Sequence, residues 1–448
     1  MKKLRFLLLV IVCIVAILPQ AYSATLYPEN IDDMRAMVES ASDGDVVDLV
    51  KLYSKDGYKN YTPENAKVIN VSNNIKITSS DPINKDLAEP VGDFIESKTD
   101  FSKSRGVAIS NVSFNVASGK TLTIEGFPHF RGGSDAPVIQ GNGNLVINNR
   151  VSIEAKNGNA AISLPNGEVR INNVMSYSGK ENTDKYYNTP YGQRLQFKVS
   201  QNYKSCIRGG NSTTGNGGEA ILARSVIINQ INLDFNQSGE YIGRGLFVRG
   251  GNSAKENGLG GIAISAENVK VDLSAERSKD SSNPVIVGGS GGYPAPAIKG
   301  KNIDILCANN NKICAGTGVN TNLGESLKIP EEYYFGAIDI QDGGKLDYGS
   351  KPIAANQNTS LNCITGFDSK AVDCGSDEEI VEYFSKRGWT NFYGPTILAR
   401  GNANVNIHRG RILGIGSNYF MPQSAADKDL LEKLPVAPVI EMGTGLLN

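Results

Sequence analysis

One pattern constrains this chain above all others. IRGGNSTTGNGGEAILARSVIIN (Ile207 to Asn229) returns as VRGGNSAKENGLGGIAISAENVKVD (Val248 to Asp272), and shorter echoes begin at Phe130 and Val287. Each copy holds a glycine turn, a small residue followed by Ile, and an alternating strand. The pair recurs as Ala108-Ile109, Val138-Ile139, Ala161-Ile162, Ala220-Ile221, Ala263-Ile264, Ala297-Ile298, Ala337-Ile338 and Thr396-Ile397. The isoleucines are separated by 30, 23, 59, 43, 34, 40 and 59 residues. Several steps lie near multiples of a unit of about 20 to 23, the coil length of a solenoid, with insertions lengthening others.

Strands of period two follow the pairs, as in Leu145-Val146-Ile147, Val226-Ile227-Ile228 and Ile303-Asp304-Ile305. Such alternation puts one face inside and the other in solvent. Asparagine clusters at the strand ends (Asn148-Asn149, Asn172-Asn173, Asn229, Asn268, Asn302), where it tolerates sharp corners and can stack amide on amide from coil to coil. Hairpin signals such as Asn-Gly between regularly spaced strands, which a β-sandwich or propeller needs, are lacking. The expected class is all-β, a right-handed parallel β-helix, repeated because no coil buries its apolar face alone.

Helical periodicity is confined to three places. In NIDDMRAMVESASDG, Ile31, Met34, Met37 or Val38 and Ala41 share a face, with Asn30 as N-cap and Gly44 as stop. This N-terminal helix is expected to cap the first coil, whose open strand edges would otherwise recruit other chains. SDEEIVEYFSKRG (Ser376 to Gly388) carries a capping box of Ser376 and Glu379, and SAADKDLLEKL is closed by Pro435. The expected organisation is cap helix and first strand at 24–50, β-helix at 51–420 with inserted loops at 180–205 and 363–395, and a helical or irregular tail at 421–448.

Residues 1–23 read as a signal peptide: Lys2, Lys3 and Arg5, an apolar run from Leu7 to Leu18, and Ala21-Tyr22-Ser23 before the cut. The run is too short to span a bilayer as a helix, and no later segment does so. Cleavage takes the formal net charge from −1 to −4, which argues against nucleic acid as a partner. Cys307 and Cys314, and Cys363 and Cys374, form two close pairs that read as local disulfides in an exported protein. The alternative, a metal site, needs C-x2-C spacing or histidines, and the chain has only His129 and His408. Cys206 is left over.

The entry Asp43-Gly44-Asp45-Val46-Val47-Asp48-Leu49 resembles that of pectin-lyase-like β-helix proteins. Gly217-Gly218-Glu219-Ala220-Ile221 and Gly260-Gly261-Ile262-Ala263-Ile264 resemble the passenger domains of autotransporters (type V secretion). That resemblance implies a β-helix displayed on a bacterial surface, with closely spaced cysteines. Members of that family end in an amphipathic β-barrel. This chain has none, so a truncated passenger, another export route, or a free periplasmic or secreted protein are each open.

The catalytic sets of β-helix enzymes are not evident. No Asp-Asp pair lies in a glycine-flanked strand turn, and both histidines read as surface or turn residues. The glycine turns lack Gly-Lys-Ser/Thr and a following helix, which removes a phosphate loop. No cofactor and no metal are expected. Arg208 and Arg249 occupy equivalent repeat positions and would line up on one face, as turn residues, as polyanion binders or as a proton-abstracting base. The least regular insertion, Lys180 to Ser205, interleaves aromatics and cations: Tyr186, Tyr187, Tyr191, Arg194, Phe197, Lys198 and Tyr203 are the candidate ligand-binding residues. The expected function is surface adhesion or scaffolding toward a host surface or a glycan. A polysaccharide lyase or hydrolase is the competing reading.

Overall fold

A computed structural model describes residues 23–52, 59–61, 67–78, 107–125, 129–133, 135–148, 151–175, 186–189, 192–195, 206–232, 247–255, 257–273, 284–307, 312–316, 331–350, 363–367, 394–413 and 438–448. Its strands form a 16-stranded and a 10-stranded parallel sheet wound as a right-handed β-helix. The larger sheet covers two faces, because long strands such as Ile221–Asn232 and Ile338–Tyr348 turn a corner within one run. The smaller sheet is the third face.

The recurring isoleucines explain the first face. Ile139, Ile162, Ile221, Ile264, Ile298, Ile338 and Ile397 are successive register partners, and Ile440 adds a further rung. The first seven are fully buried. Burying one such side chain is worth roughly 1.5–3 kcal/mol. The residue before each isoleucine also faces inward at the corner; Ala161, Ala220, Ala263, Ala297 and Ala337 are all inaccessible, which is why that position is small. The second face carries Leu145, Val169, Val226, Val269, Ile303, Leu346 and Val405 in one register. The third carries Ile109, Phe130, Ile153, Ile207, Val248, Ile286 and Ile313.

Two expectations are corrected by this register. Ile109 belongs to the third face; the first-face rung of its coil is Phe114, which pairs with Ile139. The Phe114 ring meets Phe130 across the core edge to face, 5.0 Å between centroids. The long steps are also not multiples of a coil. Ile162 and Ile221 are adjacent rungs although 59 residues separate them, as are Ile338 and Ile397. The 23-residue step from Ile139 to Ile162 is a nearly bare coil. Extra chain leaves at corners, and lengthening a closed loop costs little free energy, so the ladder passes each insertion unbroken. The rungs also continue past residue 420, since Ile440–Met442 pairs with Ile397–Ala399.

The helix Ile31–Ser40 buries Ile31, Met34 and Val38 and packs on the strand Lys67–Val71. Asn30 caps it, its Oδ1 accepting from the Asp33 N–H at 2.9 Å. The helix ends at Ser40 with Ala41 extended, earlier than Gly44; that glycine, at φ +93°, instead serves the turn into Val46. The anticipated amide stacks are present: Asn172 donates to Asn148 at 3.0 Å, Asn229 to Asn172 at 3.1 Å, and Asn302 to Asn268 at 2.9 Å. The cleavage signal and the helices expected at 376–388 and 424–434 lie outside the described residues.

The glycine turns form a second ladder at the corner between the third and first faces. Gly210 N–H donates to the Asn159 carbonyl, Gly218 to Gly210, Gly251 to Gly218, Gly261 to Gly251, and Gly289 to Gly261, at 2.7–2.9 Å. The outgoing glycines of one turn thus bond the returning glycines of its own turn and its neighbour's. A Cβ on Gly251 would sit 2.0 Å from the Gly210 carbonyl oxygen, and one on Gly261 would sit 1.8 Å from that of Gly218. The repeat conserves absence of a side chain because backbone packs on backbone here.

Candidate functional site

The first-to-second-face corner is tight, as at Asn142-Gly143 between the strands Ile139–Gly141 and Asn144–Asn148. The chain's large excursions flank the third face instead. The insertion holding the candidate ligand residues leaves after Met175 and returns at Cys206, where the third-face strand Cys206–Arg208 begins. Within it, Tyr186–Thr189 and Gly192–Leu195 pair antiparallel. Tyr187 and Arg194 are register partners, and Tyr186 stands opposite Leu195. Tyr191, Phe197, Lys198 and Tyr203 lie outside the described residues. The hairpin went unread in the sequence, although Thr189-Pro190-Tyr191-Gly192 has the Pro and Gly positions of a β-turn.

The third face carries a row of charge. Arg131, Glu154, Arg208 and Arg249 occupy successive rungs in one register, so the two repeat arginines are neighbours as the sequence predicts. Alternation puts them across the strand from inward Phe130, Ile153, Ile207 and Val248. Arg131 Nε lies 3.4 Å from Glu154 Oε2. Arg249 is completely inaccessible, and its Nη2 donates to Asn252 Oδ1 at 3.2 Å. Asn252 Oδ1 also accepts from the Ser290 N–H at 2.9 Å, tying this guanidinium into the glycine corner.

A second polar cluster lies on the outer side of the first face, where Ser265, Lys299 and Asp339 are consecutive in register. Asp339 is 0 % exposed and receives Arg400 as a fork, Nε to Oδ1 at 2.9 Å and Nη2 to Oδ2 at 2.7 Å. Arg400 Nη2 also donates to the Tyr334 carbonyl at 2.8 Å, and hydrogen bonding to Asp339 holds the guanidinium's pKa above its ordinary value. The Phe335 ring lies near both Lys299 and Arg400, at 5.2 and 5.7 Å from its centroid. The Tyr334 hydroxyl donates to Glu441 Oε2 at 2.5 Å; burial and that carboxylate raise its pKa far above the ordinary phenol value. These contacts bind the coils of Ile338, Ile397 and Ile440 to each other, a role in stability rather than chemistry.

Glu219, on the returning arm of the glycine turn, reaches the same face. Burial raises its pKa, with the Ser265 hydrogen bond and Lys299 opposing. A raised carboxyl pKa in the folded state stabilises below the unfolded value near 4.5 and loses that contribution as pH rises through the folded value. Glu219→Gln is therefore expected to flatten the fall in stability above pH 4.5; urea midpoints of both proteins between pH 4 and 8 check it. Parallel profiles would contradict it.

Among the described residues no three His, Cys, Asp or Glu side chains gather to hold a metal, and no helix is long and apolar enough to cross a membrane. His408 is 50 % exposed, 3.8 Å from Asp347. Cys314 is buried, and no disulfide occurs among the described residues. The side chains of Cys307 and Cys363, and the whole of Cys374, lie outside them. Compared with known protein families, curated proteins and solved structures, the chain matches none.

Proposed function

We propose that this is an exported β-helix displayed at a bacterial surface, similar in plan to an autotransporter passenger, that holds recognition loops for a host surface or a glycan. The observation that carries the reading is the relation of the 176–205 insertion to its frame. It contains its own hairpin, while the rungs on either side, Ile162 and Ile221, stay in register as if it were absent. A scaffold that tolerates variation in its loops without loss of packing suits display. The residues 1–23 supply the export signal the reading requires. Deleting 180–205 is expected to abolish binding to the target surface while leaving the melting temperature within a degree or two. Unchanged binding removes the loop from the account.

A polysaccharide lyase or hydrolase is the second reading, favoured by the register of Arg208 with Arg249 beside Glu154. Unsaturated products or new reducing ends from polyuronates, lost in Arg208→Met, would establish it in place of adhesion.

A further inference from the structure

We infer that Arg208, backed by Arg249, forms a binding site for a single small oxyanion on the outer side of the third face. Four consecutive rungs in one register carry three guanidinium groups and one carboxylate. The carboxylate of Glu154 is engaged by Arg131 at 3.4 Å. Arg249 is wholly buried on the next rung, one strand spacing of about 4.8 Å from Arg208. The following register partner, Val287, is apolar and buried.

Arg208 Nη2 is itself buried and has no hydrogen-bond acceptor among the described residues. A guanidinium N–H removed from water without an acceptor is costly, and two adjacent guanidiniums add repulsion. An oxyanion relieves both, because the arginine fork matches two oxygens of a phosphate, sulfate or carboxylate. The glycine corner does not compete for this role. Its glycine N–H groups at Gly209, Gly210, Gly218, Gly251 and Gly261 donate to backbone carbonyls, as Gly209 N–H does to Arg249 O at 2.9 Å. Arg208 is also the last residue of the strand on which the 176–205 insertion returns, so an anion here would fix the base of that insertion.

The inference does not depend on surface display and is tested on the purified mature chain. Thermal melts are taken in sodium chloride, phosphate, sulfate and acetate at matched ionic strength, and with an acidic oligosaccharide. At least one oxyanion is expected to raise the melting temperature by about 2 °C for each tenfold increase above its dissociation constant, with chloride ineffective. A rise with free anions marks a small-ion site; a rise with the oligosaccharide alone marks a group carried by a partner. Arg208→Met is expected to melt no lower than the parent in chloride and to lose the shift; Arg208→Lys, which keeps the charge without the fork, should retain only part of it. No shift with any of these anions, or a full shift in Arg208→Met, overturns the site.

Discussion

Gly251→Ala is expected to cost about 3 kcal/mol or more, against well under 1 kcal/mol for Gly215→Ala. The difference lies in what surrounds each Cβ. At Gly251 it would stand 2.0 Å from Gly210 O and 2.9 Å from Gly218 N, both backbone atoms of the preceding turn. Neither can swing aside as a side chain would. The same residue donates to Gly218 and accepts from Gly261, so relief by separating the turns breaks the hydrogen bonds that run through it. At Gly215 the nearest neighbour is the Ser212 hydroxyl at 3.3 Å, the far end of a side chain. Thermal melts of the two variants check this, and equal losses would mean the corner yields more readily than its packing indicates.

Arg400→Ala is expected to cost roughly 3–5 kcal/mol, because it strands a buried carboxylate. Asp339 is inaccessible to solvent, and Arg400 donates a hydrogen bond to each of its carboxylate oxygens. The arginine is one-third exposed, so losing its own charge matters less than what it leaves behind. Arg400→Lys keeps a charge without the fork and should fall between parent and alanine variant. The double variant Asp339→Asn, Arg400→Ala should recover much of the loss, since no buried charge remains. Denaturant midpoints of the four proteins form a cycle that isolates the pair. A loss below 1 kcal/mol in Arg400→Ala would show that Asp339 is reached by water or by another cation.

The parts visible in the sequence are those that repeat. The isoleucine rungs, the amide stacks and the alternating strands recur because each coil meets the same neighbours, so periodicity alone locates them. Ile109 misled because its own coil substitutes Phe114 at the first-face rung, and a motif match cannot tell one inward face from another. Step lengths misled for a related reason: the ladder constrains strands and leaves corner lengths free. The Asp339–Arg400 pair was invisible, its members lying 61 residues apart with no shared motif. Arg208 and Arg249 stood out as repeat-equivalent, yet Glu154 and Arg131 on the two preceding rungs did not, because their coils match the repeat only in part. Gly44 showed the limit of cap rules. A glycine after a helical stretch marked a turn correctly but placed the helix end several residues late.

Export to the cell surface is the central functional claim, and protease treatment of intact native cells tests it most directly. The mature chain should be degraded on intact cells, or be recovered in the medium, while a periplasmic marker stays whole. Protection until the outer layer is broken would contradict surface display and place the β-helix in the periplasm.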